Sequence, residues 1–153
     1  MSLSIIIVNY NTKDLLKNCL NSIDKDINRY MLADARDINR YKDINRYKLE
    51  IIIVDNNSTD GSVEYLKRFK GLKVQKFKVI FNDQNLGFAK ANNQGIKIAQ
   101  GEYILLLNSD TVVQKQTIPK LISYLEKNPK IGVDRKSTRL NSSHTIQDRK
   151  SVV

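Results

Sequence analysis

The stretch Leu49–Ser62, LEIIIVDNNSTDGS, passes from an apolar run to an acid, a polar turn and the start of a helix. An aliphatic run of this length suits a strand buried on both faces and is too short for a core helix. It is also far below the roughly 20 apolar residues that cross a bilayer. NNSTDGS is turn chemistry, and Asp60 is placed to cap a short helix that buries Val63 and Leu66. Working outward, LSIIIV at Leu3–Val8 and YILLL at Tyr103–Leu107 repeat the apolar run, and a further strand is expected at about Val79–Phe81. A helix from about Thr12 to Ile23 carries Leu15, Leu16, Cys19, Leu20 and Ile23 on one side. Another runs from about Phe88 to Ala99 and ends near Gly101, and a last one presents Ile118, Leu121, Ile122 and Leu125 at i, i+3, i+4 and i+7. Strands alternating with helices predict an α/β fold with a parallel sheet.

At 153 residues and 41% hydrophobic content, the chain suits one domain with a real core. The N-terminus MSLSIIIVNYN has no basic stretch before its short apolar run, which argues against a secretory signal and for a cytoplasmic protein. Cys19, the single cysteine, makes no internal disulfide and is expected in the core. The net charge of +10 is uneven: residues 134–153 carry +3, residues 26–48 carry +2, and the other 110 residues hold only +5. A mildly basic surface suits an anionic substrate or anionic lipid and specifies neither.

Two segments depart from the pattern. DINRY occurs at Asp26–Tyr30, Asp37–Tyr41 and Asp43–Tyr47, at spacings of 11 and 6 residues that match no solenoid period. Residues 26–48 are therefore expected to be a lengthened loop between the first helix and the second strand, with nothing essential in it. Residues 134–153, DRKSTRLNSSHTIQDRKSVV, follow neither helical nor strand period. This stretch resembles translated sequencing adapter, whose opening GATCGGAAGAGC encodes Asp-Arg-Lys-Ser. The tail is accordingly expected to be non-native and disordered, with the domain confined to residues 1–133 and no role for the lone His144.

Polar residues gather where the strands end, and in an open α/β sheet ligands bind beyond the carboxyl ends of the strands. The first strand ends in VNYN, Val8–Asn11, where Tyr10 can edge a flat ring and the amides lend hydrogen bonds. Asp55 ends the second strand, placed either to accept hydrogen bonds from a base or ribose or simply to cap the turn that contains Asn57. In NDQNLGFAKANNQG, Asn85, Gly87, Asn92 and Asn93 surround a helix start. There Gly87 allows close backbone approach and the helix N-terminus favours phosphate. Lys90, one turn in, is either a cation for that phosphate or a solvated lysine. After the fourth strand, LLLNSDT sets Asn108 and Asp110 about Ser109, so that a carboxylate can hold a hard divalent cation shared with a diphosphate.

Taken in order, VNYN, VDNNSTDGS, NLGFAKANNQG and LLNSDT resemble the family 2 glycosyltransferases, and NLGFAKANNQG followed by LLNSD is most similar to the rhamnosyltransferase-like branch. The resemblance covers nearly all of residues 3–133 apart from the repeats. It implies a GT-A fold, a Rossmann-like sheet in the order 3-2-1-4 that the chain leaves truncated. It implies inverting transfer from a dTDP-sugar or UDP-sugar to a glycan or lipid-linked acceptor in polysaccharide biosynthesis, peripheral to the inner membrane face, with no transmembrane segment and no nucleic acid. By it, Asn9 and Asp55 contact base and ribose, and Val8, Tyr10 and Asn57 beside them belong to the substrate-binding set. Asn85, Gly87, Phe88, Lys90, Asn92 and Asn93 line the donor pocket, Asn108 and Ser109 border it, and Asp110 binds Mg2+ or Mn2+. Many relatives have Asp where Asn108 stands, which leaves Asp110 the main charged ligand. The family's general base lies C-terminal to this motif, so no catalytic residue is assigned, and the chain is expected to bind donor without turnover.

Two other classes compete. A dinucleotide-dependent oxidoreductase lacks its Gly-x-Gly-x-x-Gly, because VNYNTKD follows the first strand. A basic nucleic-acid-binding protein rests on charge held largely in the two odd segments, whose tail offers no aromatic residue for base stacking. A nucleotide-binding module without transferase activity also remains. The chain cut after Val133 is expected to keep its nucleotide affinity in equilibrium binding, whereas a binder that uses the basic tail loses it.

Overall fold

The computed structural model describes residues 2–32, 48–69, 72, 74, 76–128 and 151–152, with the backbone alone given for 28–32 and 151–152. Strand β1 (Ser2–Asn9) is followed by helix α1 (Lys13–Leu32), β2 (Lys48–Asp55) and α2 (Ser62–Arg68). Then come β3 (Lys76–Phe81), α3 (Phe88–Ile98), β4 (Tyr103–Asn108), α4 (Thr117–Lys127) and the two-residue β5 (Ser151–Val152). The strands lie in the order β3-β2-β1-β4-β5, and each pairing is parallel. The expected 3-2-1-4 sheet is therefore present.

Parallel pairing leaves β1 and β2 covered on both faces, which is why their sequences are unbroken aliphatic runs. Ile5, Ile6, Ile7, Ile51, Ile52 and Ile53 are all 0% exposed. Each such side chain contributes roughly 1.5–3 kcal/mol by its burial, so this central pair is the dominant apolar term in the sheet. One face of the sheet packs on α1, α2 and α4 through Leu16, Leu20, Ile23, Leu66, Ile118, Ile122 and Leu125. The opposite face packs on α3 through Ala91, Ile96 and Ala99, over Ile6, Val8, Ile52, Val54 and Ile104. Helix α3 comes this close because Gly95 has no side chain: a Cβ there would lie 2.5 Å from Ile6 Cγ2.

The structure corrects three sequence expectations. Helix α1 does not stop at Ile23 but continues through the first DINRY repeat to Leu32. The cause is periodicity: Ile27 extends the buried stripe Leu16, Leu20 and Ile23, and Asp26 is itself 3% exposed. The other two repeats lie outside the described residues. Strand β3 begins at Lys76, three residues before Val79, because its backbone pairs with Glu50–Asp55 along its whole length. Finally, Ser151–Val152 of the tail add β5 beside Tyr103 and Ile104. A tail without strand periodicity still pairs because an open strand edge needs only backbone N–H and C=O groups. Residues 134–150 lie outside the described residues.

At the amino end of the sheet a buried carboxylate joins four elements. Glu50 Oε2 accepts from Ser4 Oγ at 2.6 Å and from Gln100 N at 2.8 Å, and Glu50 Oε1 pairs with Lys78 Nζ at 2.8 Å. Ser4 Oγ in turn accepts from Gly101 N, and a Cβ on Gly101 would lie 2.4 Å from the Ser4 nitrogen. Burial pushes the Glu50 carboxyl up, but the bonds from Lys78, Ser4 and Gln100 outweigh it and hold the group below its ordinary 4.5. A carboxyl depressed on folding stabilises the fold above its unfolded pKa and loses that contribution as the pH falls through its folded value. Glu50→Gln is accordingly expected to cost about 1–2 kcal/mol at pH 7, as charge-assisted bonds become neutral ones. In urea denaturation that gap closes as the pH falls below 4.5, the ordinary value of the carboxyl.

Candidate functional site

At the other end of the sheet, register decides what meets. Asn9 is paired with Asp55, Asp55 with Phe81, and Val8 with Asn108, so four strand ends finish within one residue of each other. The ladder continues into the loops through Asn56 N to Asn9 O at 2.8 Å and Asn82 N to Asp55 O at 2.9 Å. The side chains then close a buried frame. Asn9 Nδ2 donates to Asp55 Oδ2 at 2.7 Å and to Ser58 Oγ at 3.1 Å, and Ser58 N donates to Asp55 Oδ1 at 2.9 Å. Thr12 Oγ1 donates to Asn9 Oδ1 at 2.7 Å and lies 2.9 Å from Ser109 Oγ, which carries the frame across to β4.

The loops above the frame are held in defined, partly left-handed conformations. Asn11 and Asn57 have φ of 52° and 68°, a region that asparagine tolerates better than most residues. Asn11 Oδ1 accepts from Thr59 N at 2.7 Å, which ties the β1–α1 loop to the β2–α2 turn. Asp60 caps two helices from outside both: Oδ2 accepts from Lys13 N at the start of α1, and Oδ1 from Ser62 N and Oγ at the start of α2. Desolvation pushes its carboxyl up, but the bonds from Ser62 and Lys13 more than offset that and lower its pKa. The expected capping role is therefore present, although Gly61 at φ 84° occupies the cap position itself.

The β3–α3 loop hangs on Asn56, which the sequence reading did not single out. Its Oδ1 accepts from Leu86 N and Asn82 Nδ2, and its Nδ2 donates to Asn85 Oδ1 at 2.6 Å. Asn82 and Gln94 exchange two amide bonds of 2.8 and 2.9 Å. Gly87, at φ 80°, donates its N–H to Asn85 Oδ1 and ends the loop where α3 begins. The N-terminus of α3 has no side-chain cap on Gly87, and Phe88 beside it is 56% exposed.

After β4, Asn108 and Asp110 are exposed while Ser109 between them is buried against Thr12. Cys19 lies beneath, with Sγ 3.7 Å from Asn108 O. Burial, and then the charge of Asp110, push its thiol up to about 11, so it stays protonated at neutral pH and offers no soft ligand. Among the described residues no group of three or more His, Cys, Asp and Glu gathers that could hold an ion. Asn108 and Asp110 thus supply one carboxylate and one amide. That set fits Mg2+ or Mn2+ taking its other ligands from phosphate and water, and does not fit a cation held by protein alone.

The comparisons with known proteins agree with this arrangement. Residues 4–150 match the sequence profile described as "Glycosyl transferase family 2". The chain belongs to this family. A poly(ribitol-phosphate) beta-glucosyltransferase of Bacillus spizizenii is 33% identical over 129 residues, covering 84% of this chain and 18% of that protein. A poly-beta-1,6-N-acetyl-D-glucosamine synthase of Staphylococcus epidermidis is 36% identical over 97 residues, covering 63% of this chain and 23% of that one. The chain therefore spans under a quarter of the length of these relatives. Among solved structures, S. aureus TarS 1-349 in complex with UDP-GlcNAc aligns with TM-score 0.64 and 24% identity over 84% of this chain and 32% of its own. The mannosyltransferase PcManGT from Pyrobaculum calidifontis, in complex with GDP-Man and Mn2+, aligns with TM-score 0.64 and 23% identity over 85% and 33%. These likenesses establish the GT-A, Rossmann-like fold.

Within this family 2 domain the expected site residues fall into two groups. Val8, Asn9, Asp55, Asn92 and Ser109 are buried, and of these Asn9, Asp55 and Ser109 belong to the frame. Asp55 is 0% exposed with both oxygens engaged, so here it holds the turn and does not face outward. Asn92 likewise turns inward, its Nδ2 donating to Phe88 O at 3.0 Å. Tyr10, Asn57, Asn85, Gly87, Phe88, Lys90, Asn93, Asn108 and Asp110 are exposed around that frame. Thr12, Asn56 and Ser58 were missed because hydroxyl and amide partners at this separation in sequence leave no periodic signal. Asp55→Ala strips the acceptor from Asn9 Nδ2 and Ser58 N, and is expected to cost about 2–4 kcal/mol, since each buried donor left unpaired costs about 1–3. An unchanged urea midpoint would show that this carboxylate does not hold the turn.

Proposed function

We propose that the chain is the nucleotide-sugar-binding half of an inverting glycosyltransferase. Its parent moves a sugar from a UDP-sugar to a hydroxyl of a glycan or lipid-linked acceptor in polysaccharide synthesis. The observation that carries this reading is the rigid frame Asn9–Asp55–Ser58–Thr12–Ser109 at the carboxyl ends of parallel strands, with Tyr10, the α3 N-terminus and Asp110 exposed around it. Such a frame positions ligand-binding groups without moving when the ligand arrives.

In this proposal Tyr10 lies against the nucleobase and Asn57 borders the ribose. Asp55 and Asn9 act from beneath by holding both loops. The free N–H groups at the start of α3 face the diphosphate, aided by Lys90, with Phe88, Asn85 and Asn93 shaping the donor pocket. Asn108 and Asp110 would hold Mg2+ or Mn2+, which when bound neutralises charge on the departing nucleoside diphosphate. The named complexes of TarS with UDP-GlcNAc and UDP support uridine, and that of PcManGT with Mn2+ supports the metal. NLGFAKANNQG followed by LLNSD favours a second donor, a dTDP-sugar such as dTDP-rhamnose. In this reading residues 1–133 form the donor half, and among the described residues of 134–153 the backbone of Ser151–Val152 joins it, as β5. No described residue is assigned as general base, and the fragment binds donor without turning it over. Among the described residues no helix is long and apolar enough to cross a membrane.

Calorimetric titration at low micromolar protein tests the reading. Wild type is expected to bind UDP about tenfold more tightly with Mn2+ than in EDTA, a difference of about 1.4 kcal/mol, and Asp110→Ala to abolish that difference. Equal affinity with and without metal in both proteins removes Asp110 from the site. No affinity for UDP or dTDP in any condition removes the donor reading itself.

A further inference from the structure

Helix α1 lies along the loop that carries Asp110. Cys19, Ser22 and Asp26 stand at i, i+3 and i+7, one stripe of the helix, and each touches a successive part of the chain after β4. Cys19 Sγ meets Asn108 O at 3.7 Å, and Ser22 Oγ accepts from Val113 N at 2.9 Å while donating to Cys19 O at 2.7 Å. Asp26 accepts through Oδ1 from Gln116 N and through Oδ2 from Ile118 N at 3.1 Å. Gln116 is left-handed at φ 66° and gives α4 no side-chain cap, so Asp26 supplies that cap from 90 residues away. Ser22 and Asp26 are 8% and 3% exposed. A cleft of about 450 Å3 separates α1 from Val112–Lys115 around them. Val113 and Ile118 share the buried apolar cluster of α1, and the polar bonds from Ser22 and Asp26 add direction to that packing.

We propose that Ser22 and Asp26 are positioning residues for the cation at Asp110, clamping residues 113–118 to α1 and so fixing the short turn on which Asp110 stands. The turn is closed at its other side by Thr111 N to Asn108 O at 3.1 Å and by Ser109 against Thr12, so the clamp is the directional polar restraint on the chain that follows it. Residues that orient a metal's ligands without touching it typically change metal affinity when lost. The inference rests on the assignment of Asp110 to the metal.

The test is Mn2+ affinity at saturating UDP, read from the electron paramagnetic resonance signal of free Mn2+, beside UDP affinity in EDTA. Asp26→Asn keeps the size of the side chain but one acceptor oxygen only, and is expected to weaken Mn2+ about tenfold while leaving UDP affinity in EDTA unchanged. Ser22→Ala weakens Mn2+ in the same direction by a smaller factor, and decides the matter if Asp26→Asn does not fold. In the Asp110→Ala background neither change weakens Mn2+ further. A lowered melting temperature with Mn2+ affinity intact makes Asp26 a helix cap only and overturns the proposal. If wild type and Asp110→Ala hold Mn2+ equally, the assignment of Asp110 fails, and the inference falls with it.

Discussion

The bond from Asn9 Nδ2 to Asp55 Oδ2, 2.7 Å long and wholly buried, joins the ends of the two central strands. Buried away from water, neither partner has an alternative, so losing either leaves a desolvated polar group behind. Everything around it is referred to that bond. Ser58 joins through both partners, Thr12 through Asn9, and Ser109 through Thr12, so the loops after β1, β2 and β4 share one origin. The net worth of such a bond is only about 1 kcal/mol, small beside the burial of the isoleucines beneath it. Its importance is geometric, because aliphatic packing has no direction and does not by itself fix where a loop goes.

The sheet carries a polar network at each end, and the two differ in what they leave exposed. Around Glu50 the groups satisfy one another: Ser4, Gln100 and Lys78 surround the carboxylate and Gly101 closes against Ser4. That end locks the α3–β4 turn to the sheet. At the opposite end the buried amides and hydroxyls are satisfied, while Asn108, Asp110, Tyr10 and the start of α3 face outward. A parallel sheet imposes this asymmetry, since all its helices start above the carboxyl ends of the strands and bring their free N–H groups there.

Much of the fold was legible because burial on both faces demands continuous aliphatic runs, and LSIIIV, LEIIIV and YILLL have no other use in a domain of this size. The polar residues at the strand ends were legible as well: turn residues placed directly after such runs can only lie at strand ends. Asp26 was misjudged. It stands in a repeat whose spacings match no solenoid period, and its partners, the backbone nitrogens of Gln116 and Ile118, leave no trace in side-chain identity. Lys76 and Lys78 hid the start of β3 for a related reason, because an edge strand carries charges that interrupt its apolar pattern.

By itself the sequence determined the strands, the helical faces and the order in which polar turns follow apolar runs, because these depend on local periodicity and on transfer from water. Only the tertiary structure decided which polar residues turn inward. Asn9, Asp55 and Asn92 are as polar as Asn57, Asn85 and Asn93, yet the first three are buried and bonded while the others face solvent. That division depends on register between strands 46 residues apart and on the course of α1 beside a loop some 90 residues later. A hydrogen bond is short-ranged and directional, so its partner is set by where the chain has come to lie and not by what stands near it in sequence.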